Sequence, residues 1–340
     1  MKKLSLSILL TALLSVAGFS QDQDIKTMQE NARTFLRQGD VNNAIIVLNK
    51  ASEKFPGNLD VKKDLALAYY VQRDYAKALN VAKNFPENDN SDVQSFQILA
   101  MIHKAVEERK EAEKVYRAGL KKFPNSGVLY NEFGEMLWAK KDLDEAVKQW
   151  EKGIESDQNF PGNYYNAAKY YYASQDKVWS IIYGEIFVNL ESFSKRTPEI
   201  KSLLLDSYKK LFIDADIYKN QQVKNEFVKA FLDHTKRHSN TIEAGVTPES
   251  ISALRTKFIL DWNEKDAGRF PFRLFEHHKQ LLSTGMFEAY NQWIFGAAKD
   301  LNTFQEWTNK HSEEYNQFTT LQKNRVFKMP EGQYYNRAVK

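Results

Sequence analysis

Written in rows of 34 residues from Ile25, the chain shows four columns in register over five rows. One column is small: Ala32, Ala66, Ala100, Gly134 and Ala168. A second reads Ala44, Ala78, Ala112, Ala146 and then Ser180. A third is acidic, with Asp40, Asp74, Glu108, Asp142 and Asp176, and a fourth carries large side chains, with Phe35, Tyr69, His103, Leu137 and Tyr171. A period of this length fixes the architecture before any single residue is considered, because each row must bury its apolar face against the next.

The columns describe a helix pair per row. A small side chain on one helix lets the backbone of its partner approach, and the large residue three positions later fills the space beside it. In the fourth row the spacing predicts a helix from about Leu129 to Ala139, with Tyr130, Phe133, Gly134 and Leu137 on one face. The acidic column falls in the short turn, where a carboxylate is placed to accept from the free N–H groups opening the second helix. That second helix is expected to bury Ala146, Trp150 and Gly153. Pro56 and Pro124 close two rows, since proline cannot continue a helix interior. Row two has its proline early, at Pro86, and the fifth row is degenerate, with Ser180 and Gly184 where alanine and an aromatic are expected.

On these residues the chain resembles the tetratricopeptide repeat (TPR) family over residues 25–192. The resemblance implies an all-α fold: a TPR-like helix-turn-helix solenoid over residues 21–192, about five helix pairs. It further implies a partner-binding groove lined by the first helix of each pair. Carried over position by position, that groove comprises Arg33, Arg37, Lys63, Leu67, Tyr70, Gln97, Met101, Lys104, Asn131, Glu135, Trp138, Tyr165, Lys169 and Tyr172. Cations mixed with aromatics are the composition of binding hot spots. Some family members grip a peptide carboxylate with lysine and asparagine; Lys63 stands at one such position, but Leu67 and Ile98 replace the asparagines, so that mode is not expected.

Residues 193–327 form a further helical C-terminal region without the period. Amphipathic segments run over 199–212, 222–234, 248–262, 272–282, 287–298 and 303–326, and Thr247-Pro248-Glu249 is a helix start with a capping hydroxyl. The stretch 281–289 reads as the turn of a worn repeat. Residues 328–340 read as a loose tail.

At the N-terminus, Met1-Lys2-Lys3 precedes an uncharged apolar run from Leu4 to Phe19, followed by Ser20 and a polar stretch. This is the pattern of a secretory signal peptide over residues 1–20, so the protein is expected to be exported, periplasmic or secreted, with no transmembrane anchor after signal removal. The absence of cysteine excludes a disulfide framework, a thiolate nucleophile and a thiolate zinc site. A formal charge of +4, two units of which belong to Lys2 and Lys3, gives no mandate for nucleic acid.

Phosphate-binding glycine loops are absent, and neither a catalytic residue, a cofactor nor a metal is assigned. His234 and His238 lie one helical turn apart, as a metal pair would, yet Ser239-Asn240 ends that helix, where its dipole favours histidine anyway. His278 shares a face with Phe275 and Leu282, and His103 sits in the large-residue column, so packing accounts for both. The expected function is therefore a non-enzymatic scaffold or adaptor of the cell envelope with a protein or peptide partner. Carbohydrate or cell-wall glycan, stacked on Tyr70, Trp138, Tyr165 and Tyr172, is the alternative, and a hydrolase in the C-terminal region the second.

Overall fold

A computed structural model describes residues 23–337, which contain helices and turns and no strand. The signal peptide expected over residues 1–20 lies outside the described residues. No described helix is long and apolar enough to cross a membrane. The chain divides into two compact units, residues 1–124 and 125–340.

The first unit pairs α1 (residues 23–37) with α2 (Val41–Lys54), α3 (Leu59–Val71) with α4 (Tyr75–Ala82), and α5 (Val93–Ala105) with α6 (Arg109–Lys122). Ala32, Ala44, Ala66, Ala78, Ala100 and Ala112 are all fully buried, so the small columns form the seams between helices. Phe55 and Phe123 leave their helices at φ −129° and −127°, as residues before proline must. In the second row the same Phe-Pro pair stands four residues early, at Phe85-Pro86, and α4 has 8 residues where α2 and α6 have 14.

The turns between paired helices also keep the period. Gly39, Arg73, Glu107 and Lys141 have φ of 80°, 66°, 61° and 64°. After each, the acidic-column N–H closes the preceding helix by donating to the carbonyl five residues back: Asp40 to Phe35, Asp74 to Tyr69, Glu108 to His103, Asp142 to Leu137. Only part of this column caps as expected. Asp40 and Asp74 accept from the N–H groups of Asn43 and Lys77, whereas Glu108, Asp142 and Asp176 make no such bond. Glu108 reaches back to His103 Nδ1 at 2.8 Å instead, leaving His103 half-buried at the turn.

In the second unit, α7 (Gly127–Ala139) pairs with α8 (Leu143–Ser156), and α9 (Pro161–Ala173) with α10 (Lys177–Leu190). The fifth row packs as closely as the others. Ser180 is fully buried and donates to the Ala168 carbonyl, and a Cβ on Gly184 would touch Leu204 at 3.0 Å. Beyond residue 192, where the sequence shows no 34-residue period, α11 (Thr197–Leu211) packs on both α10 and α9, and Leu205, 34 residues after Tyr171, is buried.

Beyond it lie α12 (Glu226–Arg237), α13 (Pro248–Lys265), α14 (Arg273–Ser283), α15 (Phe287–Lys299), α16 (Leu301–Lys310) and α17 (Ser312–Asn324). Asn225 caps α12, which therefore starts four residues later than its amphipathic pattern. The single helix expected over 303–326 is two: His311 leaves helical geometry at φ −114°, and its ring stacks on Trp307 at 4.3 Å. The α14–α15 turn is that of a worn repeat in its hydrogen bonding, with Gly285 at φ 72° and Met286 N–H donating to Leu281.

Residues 328–337, expected to be loose, form an extended strap against the second unit. Met329 and Asn336 are buried, and Tyr335 stacks on Phe227 at 4.2 Å. The Asn159 amide both donates to the Met329 carbonyl and accepts its N–H, at 3.1 and 2.9 Å. Strap carbonyls at Tyr335 and Asn336 accept from Tyr183 Oη and Asn225 Nδ2. Arg337 reaches Glu151 at 3.2 Å.

Candidate functional site

The first-position helices of the second unit carry two polar clusters and an aromatic group on neighbouring turns. On α7, Asn131 donates to Glu135 at 2.9 Å; on α9, Asn166 donates to both, at 2.9 and 3.1 Å. One step along α9, the Tyr165 hydroxyl donates to Glu199 of α11 at 2.5 Å, and Lys169 bridges the pair, 3.0 Å from the hydroxyl and 2.7 Å from the carboxylate. Burial alone would depress the Lys169 amine; Glu199 and Tyr165 outweigh it and hold it above its ordinary value. The Arg196 guanidinium lies 4.7 Å over the Tyr165 ring, and Lys210 lies 3.8 Å over Tyr172.

Thus Asn131, Glu135, Tyr165 and Lys169 are brought onto one face, with Tyr172 a turn further along α9. Their links run through Asn166 and Glu199, which position-by-position reading passed over. A signal for both existed: Asn166 lies 35 residues after Asn131, and Glu199 lies 34 after Tyr165. Trp138 is 39% exposed but turns toward another neighbourhood, packing on Trp150 at 5.8 Å and Tyr170 at 6.3 Å.

In the first unit, Arg33 pairs with Asp64 at 3.1 Å and Arg37 with Glu30 at 2.6 Å, both exposed. Lys63 is buried and held by Asp60 and Asp92 at 2.8 and 2.7 Å, so its charge joins the starts of α3 and α5 rather than facing a ligand. Tyr70, half-buried, meets Tyr75 at 5.5 Å, and Lys104 lies 5.8 Å over the Tyr116 ring. Leu67, Gln97 and Met101 are half-buried on α3 and α5.

The histidines belong to structural clusters. His234 is buried, with Nε2 2.7 Å from Asp266, and His238 Nε2 lies 2.9 Å from Asp261. Among the described residues no three His, Asp or Glu side chains converge as metal ligands. His278 lies in a buried knot with Glu185 of α10, Arg255 of α13 and Tyr290 of α15; its Nε2 and the Tyr290 hydroxyl each stand 2.8 Å from the Glu185 carboxylate, and Arg255 donates to the same oxygen. Burial would raise Glu185, but the Arg255 charge and the His278 and Tyr290 contacts prevail and hold it well below the usual carboxylate range. The knot ties α10, α13, α14 and α15 together, and reads as a fixed core.

Comparison with known proteins identifies the repeat. Tetratricopeptide-repeat family models match residues 35–102 and 99–164. No curated protein matches the chain. Among solved structures, pilF of Pseudomonas aeruginosa is 16% identical over 56% of this chain and 87% of its own, with a TM-score of 0.47. TTC0263, a thermophilic TPR protein of Thermus thermophilus, is 12% identical over 56% of this chain and 100% of its own, at 0.41. YrrB, described as a TPR protein with an unusual peptide-binding site, is 16% identical over 57% and 97%, at 0.38. TPR proteins generally mediate protein–protein interactions, and the repeat is typically a non-catalytic scaffold. Residues 35–164 of this chain therefore carry tetratricopeptide repeats, within an all-helical fold of the TPR solenoid type.

Proposed function

We propose that the protein is an exported scaffold or adaptor of the cell envelope, holding a protein or peptide partner on the face formed by α7, α9 and α11. The observation that carries this reading is a pair of polar clusters on that face, Asn131 with Glu135 and Asn166, and Tyr165 with Lys169 and Glu199, of which Glu135 and Glu199 are exposed and Asn131 is buried. Their amide, phenol, ammonium and carboxylate groups are prearranged by contacts with one another, so little side-chain entropy remains to be lost on binding. Tyr165 and Tyr172 supply the aromatic anchors that hot spots favour, flanked by Lys169, Arg196 and Lys210.

Capture of partners from envelope extracts tests the reading. Wild-type protein is expected to retain a specific protein, and the double variant Tyr172→Ala with Lys169→Ala to lose it by about tenfold or more while keeping its helical circular dichroism. Equal retention by both removes this face from the proposal. Retention on insoluble cell wall stripped of protein assigns the face to glycan instead. For export, N-terminal sequencing of the mature chain is expected to begin at Gln21; an intact Met1 in the cytoplasmic fraction contradicts it.

A further inference from the structure

Where α11 passes α15, the second unit holds a cleft of about 380 Å³ away from the α7–α9–α11 face. Phe193, Pro198, Trp293, Ala297 and Ala298 line it with apolar surface, beside the hydroxyl residues Ser192, Ser194, Thr197 and Ser202. Lys201 enters it from α11. The ammonium lies 3.6 Å over the Trp293 ring and donates to the Trp293 carbonyl at 2.7 Å. No carboxylate of the described residues stands within ion-pair distance of it, which sets it apart from Lys63, Lys169 and Lys209, each with an acidic partner. Phe193, at the mouth, is 62% exposed and touches Trp293 only edge-on, at 6.4 Å between centroids.

An ammonium drawn out of water without a counter-ion is costly, and an aromatic face with one carbonyl offsets only part of that cost. The amine records the imbalance: burial pulls it down to about 7, with no acidic group opposing. A ligand anion seated in the cleft would supply the missing charge, and the rings of Phe193 and Trp293 would cover an apolar body attached to it. The size suits a small organic acid, at the lower end of the range for ligand sites.

We infer that this cleft is a binding site for a small apolar or aromatic carboxylate, in which Lys201 pairs with the carboxylate and Phe193 and Trp293 enclose the hydrocarbon. The site is independent of the macromolecular partner proposed for the repeat face.

The test is calorimetric titration of the full mature chain with 3-phenylpropionate, and with 3-phenylpropanamide as its neutral counterpart. The acid is expected to bind, and the amide about tenfold or more weaker. Lys201→Met, which keeps the length of the side chain and removes the charge, is expected to abolish the difference between acid and amide. Phe193→Ala, at an exposed position, is expected to weaken both ligands several-fold and leave the fold intact. Equal binding of acid and amide to the wild type, undiminished acid binding by Lys201→Met, or no heat with the acid up to about 10 mM each overturns the assignment.

Discussion

Replacing Gly134 by alanine sets two physical effects against each other. Helix propensity alone makes the exchange favourable by about 1 kcal/mol, because Gly134 lies inside α7. Packing forbids it. A Cβ at this position would sit 2.3 Å from Trp150 Nε1 and 2.6 and 2.7 Å from two ring carbons, where contact normally begins near 3.5 Å, so the indole must retreat by roughly 1 Å. Trp150 is 2% exposed and donates to the Asn131 carbonyl at 3.2 Å, so the retreat also strains that bond. Overpacking of a tight core costs about 1–3 kcal/mol and a buried hydrogen bond about 1. The net expectation is a loss of about 1–3 kcal/mol, or roughly 3–10 °C in Tm for a unit of this size. Urea unfolding followed by tryptophan fluorescence reads it directly, with Gly268→Ala as control, since a Cβ there meets nothing within 4 Å. If Gly134→Ala matches or exceeds the wild type in stability, close approach at the small column is not what holds α7 to α8.

Further expectations follow from the same geometry. Ala112→Trp places a large ring at a fully buried seam of α6 and should cost on the order of 1–3 kcal/mol or more; unchanged melting contradicts the repeat register. Burial pushes the Asp176 carboxyl up to about 7 despite the nearby Val178 and Trp179 N–H groups. Its pKa is higher folded than unfolded, so stability is full at low pH and declines as pH rises from about 4 to about 7. Asp176→Asn should therefore raise stability at pH 8 by on the order of 1–3 kcal/mol, read as a higher melting temperature, and change little near pH 4; an equal effect at both refutes the assignment. Glu107 holds a left-handed backbone at φ 61°, and Glu107→Gly should be neutral to about 1 kcal/mol stabilising, whereas Gly39→Ala should cost about 1 kcal/mol, both measurable by thermal melts.

The repeats were legible because their constraint is local and recurrent. Each Ala or Gly in the small columns stands where backbones meet, and the same four columns return every 34 residues, so Ala78 and Ala146 announce their burial without knowledge of the partner. The continuation into α11 was less visible: Lys210 stands where the acidic column would continue, even though Tyr165 and Glu199 keep the 34-residue offset. Lys63 appeared as a groove cation, since the sequence shows its place on α3 but not that Asp92 arrives from the next repeat to cover it. Glu185 and Arg255 stand 70 residues apart with no pattern linking them, and only the fold makes them a buried pair. The strap carries no helical or strand period, and its order comes from partners such as Asn159, 170 residues upstream, which no local pattern encodes.

That separation shapes how the chain acquires its native state. Helix hairpins of the first unit join neighbours in sequence and can form as soon as each emerges from the ribosome. Glu151 must wait for Arg337, whose guanidinium also donates to the Asp144 carbonyl 193 residues upstream, and until then its carboxylate lacks that counter-charge. Maturation of the second unit is thus a late event, timed by completion of residues 328–337 rather than by the repeats that precede them.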